Sequence, residues 1–167
     1  SAAYLGGSYG FDAGRYGLPA VQGGAPVVLT PRRHGVTLRG EWRELPRAIG
    51  SARVSAVRRA YTHDEIENGA VGTRFDNDLT EATLLLAHRP VGRVGGTAGV
   101  SGSWRAFSAV GVEALTPPVD QSSLAAFVFE EARWSRVSVQ AGARLEATTY
   151  RPARDRRIRR GLAAERD

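Results

Sequence analysis

Alternation constrains this chain more than any other feature. From Val137 to Glu146 the residues Val137, Val139, Ala141, Ala143 and Leu145 alternate with Ser138, Gln140, Gly142, Arg144 and Glu146. Successive side chains of an extended strand point to opposite faces, so this pattern dictates a strand with one apolar and one polar face. Val36, Leu38, Gly40 and Trp42 are set in the same way against Thr37, Arg39, Glu41 and Arg43. Ala98, Val100, Gly102 and Trp104 oppose Gly99, Ser101, Ser103 and Arg105. A sustained helical period is almost absent, and no stretch approaches the roughly 20 apolar residues of a spanning helix, which excludes a helical membrane protein.

The same scan predicts seven strands, at about 2–12, 34–45, 51–62, 73–88, 95–108, 122–134 and 136–149. Most exceed the usual strand length and reach the roughly 9–11 residues that cross a bilayer at a tilt. The connections are expected to alternate strictly. Ala13 to Arg33, His63 to Gly72 and Ala109 to Gln121 read as long, whereas Pro46 to Gly50, Arg89 to Val94 and a turn at Ser135 read as short. Short turns at one rim and long loops at the other are the signature of an antiparallel outer-membrane barrel. An aromatic stands near an end of each strand (Phe11, Trp42, Tyr61, Phe75, Phe107, Trp134, Tyr150), as interfacial girdles would require. Arginine and glutamate recur in mid-strand at Arg39, Glu41, Arg53, Glu81, Arg144 and Glu146, which suits a watery lumen. The predicted fold is all-β: an antiparallel up-and-down transmembrane β-barrel, present as an incomplete wall of about seven strands forming a curved, open sheet.

Composition narrows the function classes. A chain of 167 residues is one domain by default, and without cysteine it has neither disulfides nor thiolate metal sites. The net charge of +6 would point to nucleic acid if it were spread over the fold. A surplus of four positive charges sits in the tail after Tyr150, so no nucleic-acid partner is expected. Residues 1–150 form the barrel portion, and residues 151–167 an arginine-rich tail expected to be poorly ordered. Ser1 stands where an initiator methionine would, with no leader behind it, and the chain is expected to be a processed or cut piece. The glycine runs lack the lysine and the strand-to-helix step of a phosphate cradle, and the serines and three histidines show no triad logic, so no enzyme is expected.

The stretch from His63 to Asn77 (HDEIENGAVGTRFDN) resembles the His-x-Glu-Ile-Glu-x-Gly-x-Val-Gly-Thr-x-Phe-x-Asn loop and strand of TonB-dependent outer-membrane receptors, in the branch linked with zinc uptake. Further matches follow in order: Tyr16-Gly17-Leu18-Pro19, Phe107-Ser108-Ala109, Pro117-Pro118, Phe127 to Glu131 and Gly142 to Glu146. The resemblance implies a barrel of about 22 strands around a plug, in the outer membrane of a Gram-negative bacterium. It also implies import of a metal ion or metal chelate, driven by the TonB energy-coupling complex, with outer-membrane lipid around the wall. A passive outer-membrane channel without TonB coupling is the alternative, and a soluble β-rich binding module with two sheets closing on a core is the third reading.

His63, Asp64, Glu65 and Glu67 are the candidate metal ligands, since imidazole and carboxylates suit a divalent ion such as zinc; an ordinary solvated acidic loop is the competing reading. Zinc would be transported cargo, and no cofactor is expected. The first long loop departs from the histidine-rich loops of the zinc-linked branch, with His34 only at its end. His34 and His88 read as interfacial residues. Arg15, Arg32 and Arg33 are candidates for attracting an anionic ferric chelate, against the plainer reading of a flexible polar loop.

Overall fold

The computed structural model describes residues 2–19, 26–45, 47–111, 114 and 116–153. All the regular structure in these residues is strand. In chain order the strands are β1 (Ala3–Ala13), β2 (Tyr16–Leu18), β3 (Val27–Arg43), β4 (Ile49–Glu67), β5 (Ala70–His88), β6 (Val94–Gly111), β7 (Val119–Arg133) and β8 (Ser138–Pro152). They form one antiparallel sheet in the order β1-β3-β4-β5-β6-β7-β8, with the short β2 pairing to β3. Seven strands thus run as an up-and-down meander. The sheet is open, because β1 and β8 end the series without pairing to each other.

The strands outrun their predicted lengths, and this overturns the expected alternation of loops. β4 and β5 have 19 residues each, and the supposed loop from His63 to Gly72 is mostly strand. Its turn is only Asn68 and Gly69, at φ 50° and 80°. Two central residues with positive φ make the hairpin turn whose twist matches that of its strands, and Asn-Gly is its preferred sequence. A bulge follows, where the register shifts between Glu65 and Ile66.

The first long loop is likewise shortened. β3 begins at Val27 and pairs with the far end of β4, Val27 opposite Glu67, because Val27-Val28-Leu29-Thr30 is itself a good strand former. β2 adds Tyr16, Gly17 and Leu18 opposite Leu29, Val28 and Val27. At the chain's other end β8 reaches Pro152, two residues into the predicted tail. From residue 154 onward the tail lies outside the described residues.

The sheet is a single layer. Among the described residues the buried apolar side chains are only Ala109 and Ala125, and no second sheet or helix covers either face. Among the described residues the core of a soluble sandwich, with long apolar residues from two sheets meeting, is not formed.

Candidate functional site

Pairing register assigns every residue to a face, because directly opposed residues lie on the same side. One row across the sheet is Trp42, Ala52, Leu86, Ala98, Val128 and Ala143. The next is Gly40, Val54, Leu84, Val100, Ala126 and Leu145, followed by Leu38, Ala56, Ala82, Gly102, Leu124 and Ala147. Not one of these residues is charged. On this face Leu145 is 81% exposed, Leu5 77% and Leu124 65%, so the apolar side of the sheet is its uncovered side.

The band has defined limits. On β1 every residue of this face from Ala3 to Ala13 is uncharged, and on β8 every one from Val139 to Thr149. Ten steps of ~3.3 Å at a tilt near 45° give a height of about 23 Å, close to the apolar girth of a membrane-spanning barrel. Trp42 stands in the row of Ala3, the limit on β1, and Trp104 in the row of Thr149, the limit on β8. Each ring lies back over a glycine two residues away: a Cβ on Gly40 would meet the Trp42 ring at 3.0 Å, and one on Gly102 the Trp104 ring at 2.8 Å. Both indoles therefore lean toward the middle of the band. At the row of Trp104 the same face turns polar, where Arg58 of that row reaches Asp78 of the next at 3.3 Å. Beyond Trp42, His88 Nε2 lies 2.9 Å from Glu130 Oε2, with Gly96 between their strands.

The opposite face is polar and the more crowded of the two. Glu41, 6% exposed, accepts hydrogen bonds from Arg43 at 2.7 Å and Arg53 at 3.3 Å. Arg59 stands 3.7 Å from Glu81 and Arg144 2.9 Å from Glu146, while the Ser103 and Ser123 hydroxyls meet at 2.9 Å. Thr73, Ala109 and Ala125, the other buried side chains described, share this face. Crowding on the polar side with openness on the apolar side is what a sheet rolled toward its polar face produces.

Four of the seven predicted girdle aromatics belong to this polar face: Tyr61 pairs with Arg33 and Asn77, Phe75 with His63 and Ala109, Phe107 with Asn77 and Val119, and Tyr150 with Gln121. Nearness to a strand end places an aromatic at a rim, but its parity along the strand decides the face. Phe11 and Trp42 do lie on the apolar side, and Trp134 follows the end of β7.

The four candidate metal ligands are not brought together, because the segment is a strand and alternation divides it. Asp64 lies on the same face as the band, above it, and accepts both Nε and Nη2 of Arg74 at 2.6 and 3.0 Å. Those hydrogen bonds hold its carboxyl below the ordinary value of 3.8, at a point on the hairpin beyond the apolar band. His63 lies on the polar face, stacked 4.5 Å from Phe75 and tilted against Tyr61 at 5.4 Å, with Nδ1 buried and lacking a hydrogen-bond partner. Glu65 and Glu67 share its face, and no group of three or more ligating side chains forms among the described residues. Arg15 stands between β1 and β2. Arg32 and Arg33 lie inside β3 on opposite faces, Arg33 with its guanidinium 5.5 Å from the centre of the Tyr61 ring. Of the histidines read as interfacial, His34 sits on the apolar face, accepting from or donating to the Tyr9 hydroxyl at 2.9 Å beside Phe11. His88 is the last residue of β5.

Sequence reasoning missed the Asn68-Gly69 turn, although the dipeptide signals it, and the two indole-on-glycine contacts, which a Gly-x-Trp spacing could have suggested. The cross-strand pairs Arg58 with Asp78 and His88 with Glu130 carry no local signal. No protein-family model matches the chain.

Proposed function

We propose that this chain is a stretch of the wall of an outer-membrane transport barrel, of the TonB-dependent receptor type, that imports a metal ion or metal chelate. The uncovered apolar face carries the reading. A sheet with one apolar face must bury that face, and exposed apolar patches beyond a few hundred Å² mark membrane or protein contact. Here Leu5, Leu124 and Leu145 stand open on one side, while a network of arginines, glutamates and serines fills the other. Lipid hydrocarbon satisfies the first face and a water-filled lumen the second. The open edges at β1 and β8 leave backbone donors and acceptors that hydrocarbon does not tolerate, so further strands would complete the wall.

The cargo class and the energy coupling rest on the resemblance of residues 63–77 to the receptor loop. The β4–β5 hairpin extends that segment past the apolar band, at the rim where incoming solute would first meet the wall. The test is to follow the intact protein to which this chain belongs in a Gram-negative host. It should fractionate with the outer membrane, migrate faster on gels before boiling than after, and support growth under zinc or iron limitation only when the energy-coupling complex is present. Uptake that persists without that complex would leave a passive pore, and recovery as a soluble protein would end the membrane reading.

A further inference from the structure

At the rim opposite the hairpin tip, one row outside the Trp42 limit, three strands meet at a glycine. Glu130 of β7 pairs with Gly96 of β6, and the neighbouring pair of Ala87 with Thr97 sets Gly96 beside His88, the last residue of β5. Strands two apart in a sheet are separated by about 9.5 Å, so side chains on them touch where the middle residue is small. Gly96 meets that need, since a Cβ there would collide with Glu130 Oε2. The same oxygen lies 2.9 Å from His88 Nε2, while His88 Nδ1 lies 2.8 Å from the carbonyl oxygen of Arg89.

Both ring nitrogens therefore face acceptors. A neutral imidazole has one N–H and one lone pair, and in either tautomer the lone pair would point at an oxygen; opposite an ionised Glu130, only imidazolium donates at both. Arg89 carries the contact further. Its amide donates to Ala48 O at 2.8 Å and its Nη2 to Leu45 O at 2.9 Å, which ties the connection between β3 and β4 to the one between β5 and β6. β4 places Ile49 opposite His88, and β8 places Ala141 opposite Glu130, so neither strand adds a charge. The other charged groups of the adjoining connections are Glu44 and Arg47 between β3 and β4, and Arg89 and Arg93 between β5 and β6. Arg43, Arg53, Glu131 and Arg133 belong to the opposite face.

We infer that His88, Gly96 and Glu130 form a proton-operated clasp, shut when His88 is imidazolium, that joins β5 to β7 across β6 and steadies both connections at this rim. The hydrogen bond to Glu130, and after it the one to the Arg89 carbonyl, raise the His88 pKa above its ordinary 6.5. A raised folded value gives stability that is fully present below 6.5 and is lost as pH rises through the folded value. Mild acid shuts the clasp and alkali opens it. All three members lie on adjacent strands, so the clasp works whether or not the apolar face meets lipid.

Exchange of the imidazole C2 hydrogen, followed by mass spectrometry on the intact protein, reads the protonation of His88 against pH. The wild type is expected to titrate above 6.5. Amide exchange at residues 88–96, corrected for its intrinsic pH dependence, should quicken up to about fivefold through the same interval, as one partly exposed ion pair gives. Glu130→Gln, which keeps an acceptor and removes the charge, should return the His88 titration toward 6.5 and erase the amide step. Gly96→Ala should do the same with both titrating residues in place. A wild-type His88 that titrates at or below 6.5 overturns the clasp, and so does a raised value that survives in both variants or an amide profile without the step. Should a variant fail to fold, the wild-type titration and its amide step decide alone.

Discussion

At the residue scale, the consequence of a substitution depends on which face it falls on. Leu145 is 81% exposed, and in a water-soluble protein replacing so exposed a side chain by arginine would change stability by no more than about 0.5 kcal/mol. Facing hydrocarbon, Leu145→Arg should cost about 2–4 kcal/mol. Thr148→Arg, three residues on and on the polar face, should cost little. Denaturant unfolding of the intact protein in vesicles measures both, and equal small effects would remove the lipid from that face. The Asp64–Arg74 pair gives a pH-dependent expectation. Its depressed carboxyl contributes stability that is fully present above the ordinary value of 3.8 and is lost as pH falls through the lower folded value. Amide hydrogen exchange near the hairpin tip should therefore accelerate, relative to the rest of the sheet, only in strong acid. Asp64→Asn should show that acceleration already at neutral pH.

At the element scale, the β4–β5 hairpin is the piece whose geometry most exceeds its predicted form. Its tip depends on Gly69 at φ 80°, a conformation that costs a residue with a Cβ about 1–2 kcal/mol. Gly69→Ala should raise local opening of the tip by that amount, read by hydrogen exchange or by protease nicking at residues 67–70. Asn68→Gly should be nearly silent, since glycine accepts the same φ. A Gly69→Ala tip as protected as wild type would mean that cross-strand contacts alone, such as Thr62 with Asp76 at 2.7 Å and Arg74 with Asp64, hold the hairpin shut.

At the scale of the whole molecule, the unpaired edges decide behaviour. Among the described residues β1 and β8 each pair on one side only, and in the proposed membrane setting lipid cannot satisfy the other. The 167-residue chain added to vesicles alone should remain fully accessible to protease and should self-associate, whereas the same residues within the closed barrel proposed above should be protected along the band. Protection of the isolated chain would show that the edges close on each other or on a second copy.

Much of this was legible in the residues themselves, for a local reason. Side-chain alternation is a property of the extended backbone, so the apolar and polar faces of β3, β6 and β8 could be read without any partner strand, and the strand centres followed. Strand ends and register are not local. Whether residues 63–72 are a loop or a hairpin depended on β3 extending to Val27 to meet Glu67, and that extension split His63 from Asp64 onto opposite faces. The same pairing, acting across strands far apart in the chain, brought His88 within reach of Glu130 over Gly96. The amino-acid order alone determined that this chain makes long two-faced strands, while the tertiary structure decided which residues meet, because only cross-strand hydrogen bonding converts a one-dimensional alternation into neighbours.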